Sequence, residues 1–215
     1  MLVRVAFTES PESASPRGRR HPRQGQLQEN ALLEATERLL QEESPAQLTI
    51  GGIAAAAGLS RSAVYFYFDS KESILTATAH RTIGPLLDRQ RELYRDGFVA
   101  GAEAAIAHTF DLWRSHTGLL CAMTELASSN AAFRELWNGY MEHNVDMLED
   151  ALDRDRERGL ASPPETGLRA VLLSLMWLVE RNCFMLFSRE HDETEAREAQ
   201  AATLTVFRRT LGFDG

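Results

Sequence analysis

The chain has 215 residues, 44% of them hydrophobic and 25% charged, with a formal net charge of −8. That length suits one compact unit or two small ones sharing a core, and the apolar content excludes a chain that is disordered throughout. The longest apolar stretch, Ala170 to Val179, falls short of the roughly 20 residues a membrane span needs, so no membrane partner is expected. Two cysteines, Cys121 and Cys183, are too few for a disulfide framework or a four-thiolate zinc site. The opening MLVRVAF is too short for a signal-peptide core, and a cytoplasmic protein is expected.

The negative charge argues against a nucleic-acid binder until it is split by position. Residues 1–92 hold eleven basic and eleven acidic side chains, whereas residues 93–215 hold twelve and twenty. Arg17, Arg19, Arg20 and Arg23 cluster near the start without an intervening acid. The two ends of the chain therefore do different jobs.

Residues 1–25, rich in Ser, Pro, Arg and Gly and without a period, read as a flexible basic arm. Leu32, Ala35, Thr36, Leu39 and Leu40 then mark one face of a first helix, which Ser44-Pro45 ends. Thr49 is placed to cap a short second helix, Gly58 to stop it, Ser60 to cap a third from Arg61 to about Phe66, and Ser70 a fourth. Beyond residue 92 the pattern predicts helices over 98–115, 117–129, from the Asn130 cap to Gly159, 165–188 and 194–211. The fold class is all-α, with about nine helices and no strand. The expected divisions are an arm at 1–25, a DNA-binding unit at 26–72, and a ligand-binding and dimerisation unit at 73–215.

Leu48–Phe68 meets the demands of a helix-turn-helix. Two helices crossing closely need a small residue where they meet, and Ala54 is there. The turn needs a left-handed residue, and Gly58 follows four positions later. Ile53, Ala57, Leu59 and Val64 can seal the crossing. With Val64 inward, Arg61, Ser62 and Tyr65 point outward, and an arginine there can pair bidentately with guanine. The hydroxyls of Thr49 and Tyr65 and the ammonium of Lys71, the chain's one lysine, suit phosphates, and Ser60 beside Arg61 is a further DNA-binding candidate. The arm, through Arg19 and Arg20, is a candidate tether to DNA, a solvated tail being the alternative. An ordinary helical hairpin is the competing reading of the whole segment.

Residues 27–75, above all Gly58-Leu-Ser-Arg and Val64-Tyr-Phe-Tyr-Phe-Asp-Ser-Lys-Glu, resemble the N-terminal domain of the TetR family of bacterial transcriptional regulators. The rest of the chain is more loosely similar to a mycobacterial branch of that family, through Glu135-Leu-Trp, Asp153-Arg-Asp-Arg-Glu-Arg-Gly and Glu180-Arg with Phe184. The resemblance implies a homodimer on a double-stranded DNA operator, one recognition helix per subunit, and a ligand cavity in each C-terminal unit. It implies that Tyr65 and Lys71 hold phosphates while Arg61 and Ser62 face bases, with Tyr67 a further candidate. Gly51-Gly52 departs from the family's pattern in the first turn of the second helix; each glycine there costs up to about 1 kcal/mol of helix stability.

Phe110, Trp113, Met123, Trp137, Met141, Trp177 and Phe184 fall on inward faces of four helices. Periodicity alone assigns them to a packed core; the resemblance makes them, with Asn182, candidates for the wall of a cavity for a small apolar ligand. Glu180 and Arg181 interrupt an apolar helix, as an ion pair to a neighbouring helix or as ligand contacts. That helix has no polar face in its middle, so one side needs a partner subunit, and Leu172, Leu175, Leu186, Ala199 and Val206 are candidate dimer contacts. No nucleophile elbow, phosphate loop, His-x-x-x-His spacing or other metal or cofactor motif is found, and an enzyme is not expected. A helical carrier or sensor of lipophilic molecules that does not act through DNA is the alternative function.

Overall fold

The computed structural model describes residues 22–213. Among them are nine α-helices and no strand: α1 (Pro22–Leu39), α2 (Ile50–Ala56), α3 (Arg61–Tyr67), α4 (Lys71–Leu93), α5 (Phe98–Ser115), α6 (Thr117–Ser129), α7 (Ala131–Glu157), α8 (Leu168–Phe187) and α9 (Glu193–Leu211). Arg19 and Arg20 of the basic arm lie outside the described residues. α1 begins at Pro22, ahead of the boundary drawn at residue 25. From Gln24 to Ala31 no side chain is buried, so these turns carry no hydrophobic period; burial starts at Leu32.

Short polar side chains set the first elements. Thr49 accepts a hydrogen bond from the Gly52 amide at the start of α2, and Ser60 accepts one from Ala63 at the start of α3. Between them Gly58 takes φ +67°, and the Leu59 amide donates to the Ala54 carbonyl at 2.8 Å. Ile53, Ala54 and Val64 are buried at the crossing. Ser70 and Ser73 form a reciprocal capping box at the start of α4.

α4 runs 23 residues without interruption through the boundary drawn at 72–73. Its first half, with Ile74, Leu75 and Thr78 buried, packs on α1; its second half packs on α5 and α7. Pro85 sits inside it, where the missing N–H leaves the Arg81 carbonyl without its helical partner. α5 is the central helix of the body, packed against α4, α6, α7, α8 and α9. Gly101 lets α5 approach the Leu93 carbonyl so closely that a Cβ would collide with it.

The start of α5 is capped from a distance. Gly97, at φ +120°, has no side chain to offer, and the fully buried Asp155 of α7 accepts a 2.7 Å hydrogen bond from the Val99 amide instead. A Cβ on Gly97 would strike that carboxylate.

α8 is 20 residues long with mean hydropathy 1.5, long and apolar enough by composition alone to cross a membrane, with Arg169, Glu180 and Arg181 bounding the apolar run counted above. Its inner face carries Leu172, Leu175, Val179, Cys183 and Leu186 into the chain's own core. Leu172, Leu175 and Leu186 are thus corrected as dimer contacts: a helix apolar on all sides gives no phase, and these three point inward. Ala199 of α9 is half-buried, and Val206 is exposed. The outer face of α8 is formed by Ala170, Ser174, Trp177, Leu178, Arg181 and Met185.

Asp155→Ala removes the side-chain cap on the Val99 amide of α5 and should cost about 1–2 kcal/mol. A thermal melt should show the midpoint lowered by roughly 2–8 °C; an unchanged midpoint would show that this cap contributes nothing.

Candidate functional site

α3 turns Arg61, Ser62, Tyr65 and Phe66 to solvent while Val64 is buried. Tyr65 is 47% and Phe66 62% exposed, on a helix only seven residues long. Arg61 lies over the Tyr65 ring, 5.8 Å from its centroid, and its Nη2 donates to the Tyr65 hydroxyl at 3.3 Å. Both side chains are thereby held side by side on the open surface. Ser62 and Ser60 share a 2.9 Å hydroxyl contact, and Thr49 is exposed at the start of α2.

Two residues sit differently from expectation. Tyr67 is corrected as a base-facing group: it is half-buried, and its hydroxyl donates to Gln28 Oε1 of α1 at 2.9 Å. One helical position rotates a side chain by 100°, so the outward aromatic next to Tyr65 is Phe66, which sequence reasoning missed. Lys71 is half-buried and donates to the Pro45 carbonyl at 2.9 Å, bracing α4 against the loop before α2. An ammonium has three donors, so two remain for a phosphate.

The second candidate is a cavity of about 100 Å³ between α4, α5, α7 and α8. Trp113, Trp137 and Met141 line it. Phe110, Met123, Trp177, Asn182 and Phe184 are corrected: none lies on its wall. Phe110 and Met123 are fully buried core, the former edge-on to Phe187. Asn182 is exposed, Trp177 and Phe184 are half-buried, and the Arg181 guanidinium sits 5.2 Å above the Phe184 ring. The cavity face of α8 is instead Met176, Val179 and Glu180, one helical position away from the expected stripe. Sequence reasoning also missed the α4 wall, Ile83, Leu87 and Gln90, because the candidates were drawn mainly from aromatic and methionine residues, of which α4 has none. The alternation of Ile83, Leu87 and Gln90 at helical spacing was the available signal.

The cavity's polar groups are mostly tied to the protein itself. Asn144 donates to the Tyr140 carbonyl at 2.8 Å, and Thr109 to the Ala105 carbonyl at 3.0 Å. Glu180, only 5% exposed, accepts from Thr124 of α6 at 2.9 Å, a hydrogen bond in place of the inter-helix ion pair weighed from sequence. Trp137 Nε1 is buried and has no hydrogen-bond partner. Known ligand pockets hold about 300–1,000 Å³, so a ligand of that size needs the flexible Met141 and Met176 to yield.

Between the two candidates lies a polar junction. Glu37 of α1 accepts from Arg81 at 3.2 Å and Thr82 at 2.9 Å, both on α4, and contacts His116 Nδ1, between α5 and α6, at 2.5 Å. One residue earlier on α4, His80 shares a 2.9 Å hydrogen bond with the Tyr140 hydroxyl of the cavity wall. Burial pushes the Tyr140 phenol above its ordinary range and the His80 ring below its own, so this bond is one between neutral groups near pH 7. Burial likewise pushes the Cys121 thiol up to about 11 and Cys183 further, leaving both protonated and inert. Among the described residues no group of histidine, cysteine or carboxylate side chains could hold a metal ion.

Two family descriptions match this chain: bacterial regulatory proteins of the tetR family over residues 32–78, and the C-terminal domain of the transcriptional regulator EthR over residues 102–211. The chain is 31% identical over 207 residues to the HTH-type transcriptional regulator EthR of Mycolicibacterium smegmatis, covering 93% of each chain. It is 28% identical over 200 residues to EthR of Mycobacterium tuberculosis, covering 86% of this chain and 88% of that one. The crystal structure of the transcriptional regulator FadR from Bacillus subtilis in complex with stearoyl-CoA shares the fold, with a TM-score of 0.73 at 17% identity over 85% of this chain and 98% of that one. An outward α3 on a capped helix-turn-helix, joined to an EthR-type helical body, places the chain in the TetR family of bacterial regulatory proteins as a DNA-binding transcriptional regulator.

Proposed function

We propose that the protein is a homodimeric repressor that leaves its operator when a small, mainly apolar molecule enters the cavity. The observation that carries the DNA half is the exposed α3 face, where Arg61 and Tyr65 brace each other and Phe66 stands free of the core. In this reading Arg61 and Ser62 meet base edges, and Phe66 packs on a thymine methyl. Tyr65, Thr49 and Lys71 hold phosphates, with Arg19 and Arg20 of the arm reaching the flanking DNA. The operative DNA-binding unit extends from the arm through α3 into the first half of α4. Residues beyond it form the ligand-binding and dimerising body.

Dimerisation is supported by the outer face of α8, where Trp177, Leu178 and Met185 lie beside small Ala170 and Ser174. Ala201, Ala202 and Val206 of α9 are exposed as well. A two-fold pairing of these helices would cover this apolar surface and set two α3 helices about 34–36 Å apart, one turn of DNA.

The ligand half rests on the cavity and on the path from it to α3. α4 lines the cavity with Ile83 and Leu87 and begins directly behind α3, so displacement of its second half moves Lys71 and the recognition helix. The Tyr140–His80 bond ties the cavity wall to α4, and the Glu37 cluster ties α4 to α1. A ligand shifts the DNA equilibrium only through a preference for one of the two α4 positions.

Three measurements test this. In gel shifts against the protein's own upstream region, Arg61→Ala should lose roughly 5- to 150-fold in specific affinity, keep its non-specific affinity, and relax one position per half-site. Tyr65→Phe should weaken specific and non-specific binding alike; an equal loss of both by the Arg61 variant would refute its base-reading role, and no retained band for the unaltered protein would favour a carrier without DNA. Met185→Asp, at an exposed position on α8, should convert a sedimenting dimer at micromolar concentration to a monomer, and an unaltered protein that is already monomeric would overturn the dimer.

A further inference from the structure

We infer that the cavity selects a neutral ligand bearing a hydrogen-bond acceptor oxygen, which the Trp137 indole N–H binds and which the Glu180 carboxylate protects from anionic competitors. The inference rests on the ligand-cavity reading above and adds to it the chemistry of the ligand. A buried indole N–H without a partner forgoes the hydrogen bond it would make in water unless something else accepts it. Trp137 is 5% exposed, lies on the cavity wall, and its N–H has no acceptor among the described residues. Four buried side-chain atoms among the described residues lack a partner, and of the residues that own them Trp137 alone lines this cavity. Thr109 and Asn144 already donate to carbonyls of their own helices. The indole is therefore the buried wall donor that has no partner at all, whereas the Asn144 and Gln90 amides each already make one bond.

The sign of the guest's charge follows from Glu180. Its side chain is buried in the cavity wall with one hydrogen bond, from Thr124. The nearest cation, Arg181, is 4.0 Å away through Nε and mostly exposed, so its charge is screened by water. A ligand carboxylate would bring a second negative charge into the same poorly solvated space. A ketone or amide oxygen satisfies the indole without that cost, and apolar Ile83, Leu87 and Val179 accept the rest of the molecule.

Isosteric probes test this on the intact protein. Cyclohexanone and methylenecyclohexane differ only in C=O against C=CH2, and cyclohexanecarboxylate supplies the anion. Proton–nitrogen spectra of the indole groups, with Trp137 assigned from Trp137→Phe, should show its N–H moving downfield with cyclohexanone and not with methylenecyclohexane. By titration, Trp137→Phe should weaken cyclohexanone about 3- to 10-fold and change methylenecyclohexane by less than twofold, while cyclohexanecarboxylate should not bind at pH 7.5. Equal changes for both neutral probes, or a carboxylate that binds as well as the ketone, would overturn the inference and leave the cavity reading standing. Should neither neutral probe bind the unaltered protein, the cavity reading fails and the inference with it. Should Trp137→Phe not fold, the spectra of the unaltered protein alone decide: a downfield indole signal confined to the ketone supports the inference, and its absence refutes it.

Discussion

The carboxylate of Glu37 joins the two working parts of this molecule. It is half-buried on α1 and takes donors from Arg81 and Thr82 of α4 and from His116 between α5 and α6. Three chain segments are thereby held in a defined orientation, since hydrogen bonds to a charged group are directional and stronger than neutral ones. The recognition helix depends on this arrangement because α4 starts immediately after α3 and is braced by Lys71 to the loop before α2. α4 is consequently one continuous helix with two allegiances. Pro85 weakens its backbone ladder at the carbonyl of Arg81, beside the Glu37 contact, where bending costs least.

Stability and response make opposite demands around the cavity. Core positions such as Phe110, Phe133 and Leu119 are fully buried, and a helical body of this size could have filled the remaining 100 Å³ with side chains. Instead the space is bordered by two methionines, which adapt to irregular guests, and by an indole whose N–H has no partner. An unsatisfied buried donor is a cost to the free protein that an acceptor brought into the space would remove.

The distribution of charge fits a protein that touches DNA at one end. The twenty acids among residues 93–215 are engaged in part with arginines on the body's own surface, as where Arg169 of α8 meets Glu142, Asp146 and Glu149 of α7. The N-terminal residues are neutral in sum, and α3 carries Arg61 with no acid in its seven residues. Long-range attraction to DNA is correspondingly modest, and affinity depends the more on short-range contacts.

The amino-acid sequence by itself determined the local structure. Thr49, Ser60, Ser70 and Asn130 each cap the helix they precede, Gly58 makes the left-handed turn, and 98–115 and 117–129 are bounded as their patterns predict. These features rest on interactions within a few residues, so the sequence states them directly. Rotation of helices about their own axes was a different matter. α8 is apolar on every side, so its period could not tell the core face of Leu172 and Leu186 from the outer face of Met185, nor the cavity face of Val179 from Trp177. Tyr67 and Phe66 exchanged places for a similar reason, since only the presence of Gln28 across the gap turns one hydroxyl inward. The Asp155 cap on α5, the Glu37 cluster and the α4 wall of the cavity join residues dozens of positions apart. Such contacts arise only when packing brings distant helices together, and the tertiary structure alone decided them.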